Sequence, residues 1–348
     1  MLAQMALRWL PLAVAAPFLG GCLELCYVGQ AAAGQEDIGF RSRPIEEALA
    51  DPTLGAETRS MLALIGDVKN YGESHGLTAT ESYRSFANLE RSAVVWVVTA
   101  SQPLRFEAVT WRFPIVGAVP YLGWFDRSDA GRHASELSAA GLDVYVREAR
   151  AYSTLGWFQD PVLSTMLQDG PEELVEVVLH ESMHATHFVA SQTVYNESLA
   201  NFVGSRMSAQ YLREKRHGDA WQAFDNRERE HEHEHRIKRL AETHAQLGAL
   251  YASTLPDEEK LAQKQKTLAA VKAELGLVRT LNNATLLQAQ TYNSGADGFS
   301  VLFEACGENW QRFIQLVRTI GPAAFHEPDQ RAIDPLLLNR ARAGCPPG

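Results

Sequence analysis

The apolar positions of this chain follow two different periods. From Arg43 to about Glu90 they recur at helical spacing. Met61, Leu62, Leu64, Ile65 and Val68 fall on one face, and Pro44 stands where a helix can begin. At Ala93 the rhythm changes. Val94–Thr99, Ala108–Phe113, Val119–Phe125 and Val144–Val146 are rich in β-branched and aromatic residues and bounded by turn residues, which predicts strands. Val119–Phe125 is the candidate edge strand, because Pro120 has no N–H for a central ladder; equally, Pro120 can mark a strand end. Ala130–Ala140 reads as a helix between strands. From Pro171 onward the helical period returns and persists. Glu214–Glu274 is long, charged and Ala-rich, and predicts an antiparallel helical pair with its break at Ser253-Thr-Leu-Pro-Asp257. No internal repeat is visible.

The first residues depart from both rhythms. Met1–Gly21 carries one charge, Arg8, followed by the apolar run Trp9–Leu19, which is too short to span a membrane and fits a secretory signal. It ends in Leu19-Gly-Gly-Cys22. Small residues before a cysteine resemble the bacterial lipoprotein processing site, with Cys22 as the lipidated residue. Leu23 follows rather than Asp, so an outer-membrane anchor is expected. The expected organisation is residues 1–21 as lipoprotein signal, 22–42 as tether, and 43–348 as a single domain with a helix-plus-sheet part (43–165) and a helical part (166–348). The expected location is the bacterial cell envelope, lipid-anchored and facing the periplasm. Four cysteines agree with export: Cys306 and Cys345 can pair in an oxidising compartment, and Cys26 is left over beside Cys22. The net charge of −10 over 348 residues argues against nucleic acid as a partner. No protein partner is predicted.

Chemistry concentrates in Glu176-Val-Val-Leu-His180-Glu181-Ser-Met-His184. On a helix His180 and His184, four apart, project from one face and can grip one Zn²⁺. Glu181, beside the first ligand, is placed to take a proton from a metal-bound water. The pattern H-E-x-x-H also occurs at His231–His235, so context must separate the two. The first copy follows Leu174, Val175, Val177, Val178 and Leu179, as a buried helix requires. The second sits in Asn226–Lys238, which has almost no apolar face and reads as a solvated charged helix. Glu197 is the candidate third ligand. Twelve residues separate it from His184, enough to leave one helix and start another, with Asn196 at the opening. His187, three residues after His184, is the rival and is placed beside the site or at the surface. The predicted class is therefore α+β, predominantly helical: a small mixed β-sheet, then a zincin-type metal-binding helix pair, then a C-terminal helical region.

Hydrolysis through a tetrahedral intermediate needs a donor for the oxyanion, and Tyr292 and Tyr152 are the candidates. Asn283 can bind substrate backbone or buttress the site, Tyr121 lies on the candidate edge strand as a substrate contact, and Asp160 before Pro161 can cap a turn. Glu176, one turn before His180, is a candidate carboxylate behind that ligand.

Several segments together resemble a known group. They are Cys26-Tyr, Gly34-Gln, Trp96-Val-Val, Phe113-Pro-Ile-Val-Gly117, Val119-Pro-Tyr121, Tyr152–Ser164, the metal motif, Asn196-Glu-Ser-Leu-Ala200 and Asn282-Asn-Ala284. The chain resembles the bacterial family labelled predicted aminopeptidases, zinc-peptidase-like lipoproteins, over nearly its whole length. The resemblance implies a gluzincin-like site with His180, His184 and Glu197 on one zinc ion, Glu181 as base and a peptide as substrate. The His184–Glu197 spacing is shorter than in aminopeptidase-N-like enzymes, so their amine-binding residues do not carry over. The expected activity is zinc-dependent peptide-bond hydrolysis by an aminopeptidase. The alternatives are a non-catalytic zinc- or peptide-binding envelope lipoprotein, or a zinc amidase or esterase.

Overall fold

In the computed structural model, residues 22–113, 117–152, 159–215, 226–293 and 295–345 are described, the side chains of 22–26, 226–234, 292 and 293 excepted. Helix α1 (Cys22–Arg41) leads into strand β1 (Ser42–Pro44), α2 (Ile45–Ala50) and α3 (Ala56–Ser74). Met61, Leu62, Ile65 and Val68 are buried, as their spacing predicts. The helical pattern stops at Ser74, however. The chain then runs extended into β2 (Ser85–Ala87), which pairs with β1 antiparallel and with β8 (Val162–Leu163) parallel. This small sheet was not apparent from periodicity, because three-residue strands are too short to show one.

The second sheet has the order β6-β3-β7, from β3 (Val95–Ser101), β6 (Leu122–Trp124) and β7 (Asp143–Ala149), all antiparallel. A separate hairpin joins β4 (Trp111–Phe113) to β5 (Gly117–Val119). The expected strand Val119–Phe125 is thus two strands. Pro120, with no N–H to donate, ends the hairpin, and Leu122 starts the pairing with β3. Helix α4 (Arg127–Ala139) packs on one face of this sheet; Asp126 caps it by accepting from the amides of Ser128 and Asp129.

The edge strand is not open. The amide of Gly123 donates to the Tyr27 hydroxyl at 3.2 Å. Gln30 donates to the Gly123 carbonyl at 3.1 Å and accepts from the Phe125 amide at 2.9 Å. The segment expected as a tether is therefore helical, and it satisfies the outward backbone groups of β6. An exposed strand edge invites pairing with another chain, and α1 closes this one.

Past a short 3-10 turn the chain is helical, as its period predicts: α5 (Pro171–Thr186), α6 (Thr193–Lys215), α7 (Asn226–Ala252), α8 (Asp257–Glu274), α9 (Asn283–Asn293), α10 (Ala296–Ala305), α11 (Trp310–Val317) and α12 (Asp334–Ala343). The fold is α+β and predominantly helical. α7 and α8 form the expected pair, broken at Ser253–Pro256. Lys264 of α8 pins that pair to the sheet: its buried ammonium lies 2.5 Å from Asp143 and 2.8 Å from the Pro103 carbonyl. Phe202 of α6 meets Phe299, Trp310 and Phe313 in an aromatic cluster that seats α10 and α11 on α6. Cys306 and Cys345 form a disulfide that ties the end of α10 to the end of α12. No helix among the described residues is long and apolar enough to cross a membrane.

Candidate metal centre

α5 is built to hold its histidines in a dry place. Pro171 occupies its first turn with Glu172 and Glu173, which suit the positive end of the helix dipole. Leu174, Val175, Val178, Leu179 and Met183 are buried, which fixes the rotation of the helix. The opposite face meets α6, and Gly204 sets the separation. A Cβ there would stand 3.1 Å from the Glu176 carbonyl oxygen and 3.1 Å from His180 Cβ. Glu197 lies two turns before Gly204, on the same face of α6, so the close crossing brings its carboxylate to the histidines.

Three side chains converge. His180 Nε2 and His184 Nε2 are 3.1 Å apart. Glu197 oxygens lie 3.7 Å from His180 Nε2 and 3.8 Å from His184 Nε2. Ligands about 2.0–2.1 Å from a tetrahedral zinc stand roughly 3.3 Å from one another, so the spacing fits one small cation. These residues form a group that could hold a metal ion. The protonation pattern is the required one. Burial penalises the charge of Glu197, yet the two imidazoles and Arg147 hold its carboxyl down at about 2. Burial pushes His184 down to about 4 and keeps it neutral. Burial also opposes a charge on His180, but contact with Glu197 and the nearby charges of Glu181 and Glu176 raise it above the ordinary histidine value. Neutral imidazoles and an ionised carboxylate are what a divalent ion binds, and protons compete with it at His180.

Glu181 lines a small pocket of about 240 Å³ with Thr80, Ser82, Tyr83, Asp160, Ser182 and Ala185, and its charge reaches His180. Tyr83 was missed in the sequence, where it fell inside a segment read as helical. It is buried, its φ is +63°, and its amide donates to the Asp160 carbonyl at 2.6 Å. Burial and the charges of Glu181 and Asp160 push its hydroxyl well above the usual tyrosine value, so it stays protonated beside Glu181. Asp160 is buried, and its amide donates to the Ser82 hydroxyl at 3.1 Å.

The other expected residues scatter. α6 starts at Thr193, not at Asn196. The Asn196 side chain instead accepts from the Val189 amide and donates to the Val189 carbonyl, closing the turn between the helices. His187 lies just past the end of α5, edge-on to Tyr195 at 5.9 Å, and is not in the metal group. Glu176 is close to His180, and burial pushes its carboxyl up to about 7. Asn283 is wholly buried. It accepts from the Tyr251 hydroxyl, and its amide nitrogen donates to the Gln102 and Pro103 carbonyls. It is the buttress of the joint between α9 and the sheet, with no group left to offer a ligand. Tyr152 packs edge-on against Phe125 at 5.3 Å, and burial pushes its hydroxyl up to about 12. Tyr121 lines a second cleft, together with Arg147. The side chains of Tyr292 and Cys22 lie outside the described residues, as do residues 153–158 of the Tyr152–Ser164 block and most of the second H-E-x-x-H, whose last residue, His235, is exposed.

A family model described as "Putative aminopeptidase" matches residues 26–331. The chain belongs to that family. The match covers both three-stranded sheets, the helix pair that brings His180, His184 and Glu197 together, and the cleft beside it. Comparison with curated proteins and with solved structures finds no match.

Proposed function

We propose that the protein is a metal-dependent peptide hydrolase that uses one zinc ion held by His180, His184 and Glu197. The observation that carries the reading is the convergence of two imidazoles and one ionised carboxylate, with a second carboxylate, Glu181, next to His180 in the chain and outside the group. The donor set suits zinc. When bound, such an ion supplies Lewis-acid polarisation of the scissile carbonyl. The chain's own part falls to Glu181. It takes the proton of the attacking water as the C–O bond forms, then passes it to the departing amine nitrogen as the C–N bond breaks. Tyr83, held protonated, lines the same pocket as Glu181. At the envelope, where the leader and Cys22 would place the chain, the Cys306–Cys345 disulfide suits the oxidising compartment.

The test is Glu181→Gln, with metal content measured by mass spectrometry and hydrolysis followed on a peptide library. Wild type should hold one divalent ion and cleave. The variant should keep the ion and lose activity by at least about 100-fold, the usual worth of general acid–base work. If metal-loaded wild type cleaves no peptide, or the variant cleaves as well as wild type, the proposal falls. Labelling with radioactive palmitate in cells, lost in Cys22→Ser, tests the anchor; equal labelling of the two would overturn it.

A further inference from the structure

Beside the metal centre, between the sheet and α9, lies a cleft of about 430 Å³. Its walls are mostly apolar, among them Val97, Ala100 and Leu287, and its lining contains no carboxylate. Two arginines line it, Arg147 from β7 and Arg331 from the segment before α12. Arg147 is close enough to Glu197 to help hold its carboxyl ionised, so the cleft adjoins the metal ligands. Ser198, the next residue after Glu197, donates to the carbonyl of Thr291 on the cleft wall at 2.9 Å.

Arg331 is the informative group. Its Nη1 is buried and has no hydrogen-bond partner among the described residues. Asp329, the acid nearest in sequence, is close enough to favour the guanidinium charge, but its carboxylate accepts from the Val194 amide at 3.1 Å, capping α6, and leaves Nη1 without a partner. The neighbour from α7 is His244, which burial keeps neutral. The segment that carries Arg331 is fixed in place. Gln192 donates to the Glu327 carbonyl at 2.8 Å and accepts from the Gln330 amide at 3.1 Å, and the Asp329 amide donates to the Ser191 carbonyl. A buried guanidinium edge without an acceptor is unfavourable unless a ligand completes it, and its flat fork matches a carboxylate.

We infer that this cleft takes the free C-terminal carboxylate of a short peptide, bound by Arg331 with Arg147 beside it. Because the cleft adjoins the metal ligands, that carboxylate belongs to a residue next to the scissile bond or one beyond it. The leaving fragment is then one or two residues long, and C-terminally blocked substrates are excluded. The inference rests on the peptidase reading for the location of the scissile bond, but binding of the carboxylate can be measured without turnover.

The experiment compares Leu-Leu with Leu-Leu-amide. Binding is measured by calorimetry on the full zinc-loaded chain carrying Glu181→Gln, and hydrolysis on wild type. The free acid should bind at least tenfold tighter than the amide, because the amide leaves the arginine edge unsatisfied. Adding Arg331→Met should erase that difference with metal content and circular dichroism unchanged, and Arg331→Lys should restore part of it. Equal binding of the two peptides, no binding of either, or a preference that survives Arg331→Met would overturn the inference. If wild type cleaves acid and amide alike, the carboxylate site falls and the peptidase reading stands. If the acid preference is intact but no peptide is cleaved, the peptidase reading falls and the carboxylate site stands.

Discussion

Adding one methyl group at Gly204 tests whether helix packing sets the metal site. A Cβ there would meet the Glu176 carbonyl at 3.1 Å, His180 Cβ at 3.1 Å and the His180 amide at 3.3 Å. Comfortable carbon contacts begin at about 3.5 Å, so Gly204→Ala must part α5 from α6 by a few tenths of an ångström. Two terms oppose each other in stability. Alanine in a helix interior gains about 1 kcal/mol over glycine, while overpacking costs about 1–3 kcal/mol. The net is a loss of roughly 0–2 kcal/mol. The metal site is less forgiving. Ligand distances must hold to about 0.2 Å, and the strain falls on His180, whose Nε2 already stands 3.7 Å from Glu197. Zinc affinity should therefore drop at least tenfold, about 1.4 kcal/mol, while the fold survives. Gly66→Ala on α3 is the control, since nothing lies within 4 Å of a Cβ there. It should raise stability by up to about 1 kcal/mol and leave zinc binding unchanged. The measurements are zinc titration calorimetry and urea unfolding of chelator-treated protein. If Gly204→Ala gains stability as Gly66→Ala does and binds zinc like wild type, the crossing does not control the site.

Lys264→Met should cost about 3–5 kcal/mol in urea unfolding, because it leaves the Asp143 charge without its buried cation, and a loss under about 1 kcal/mol would refute the account. His244 is stacked on Phe106 at 3.7 Å, and burial, followed by the nearby Arg331, pushes it down to about 4. A base with a depressed folded pKa adds stability that is full above the unfolded value of about 6.5 and is lost as pH falls through the folded one. Wild type should therefore lose stability relative to His244→Phe between pH 7 and pH 4, by about 1–2 kcal/mol once solvent screening of this half-buried ring is allowed for, and a gap that does not change with pH would contradict this. The Cys306–Cys345 disulfide joins residues 39 apart in sequence, a loop whose closure is worth about 4 kcal/mol in the chain-entropy account. Cys345→Ser should lower stability by about 2–4 kcal/mol, and melting under reducing conditions should erase the difference between the two proteins.

The site was legible where its chemistry is local. His180 and His184 sit on one turn, and four-residue spacing alone puts them together. Glu197 was within reach because its helix follows directly, although the helix opens three residues earlier than its candidate cap suggested. Arg147, Arg331 and Tyr83 gave no such signal. Each reaches the site from a distant segment, and a lone arginine or tyrosine has no period to betray it. The helices from Pro171 onward were readable because they are long and regularly patterned, while β1, β2 and β8 were hidden by their length of two or three residues. Pro120 was ambiguous for a physical reason. A missing N–H suits an edge strand and a strand end equally, and here it separates β5 from β6.

The closed edge strand bears on which end of a substrate is held. In a peptidase that lays an extended chain along a sheet edge, backbone pairing supplies much of the grip, so long substrates are accepted. Here Tyr27 and Gln30 already occupy the outward groups of β6. That edge is taken, and the lining of the cleft beside the candidate ligands is cationic, not acidic. An aminopeptidase ordinarily needs an anion for the substrate amine, whereas the unpartnered edge of Arg331 asks for a carboxylate. A di- or tripeptide reconciles the family's name with this chemistry. In so short a substrate the free carboxylate lies one or two residues from the first peptide bond. Anchoring the carboxylate at Arg331 and Arg147 therefore places that bond at the metal. Removal of an amino-terminal residue and recognition of the carboxyl terminus then become the same event, and substrate length is set by the distance between the arginines and His180.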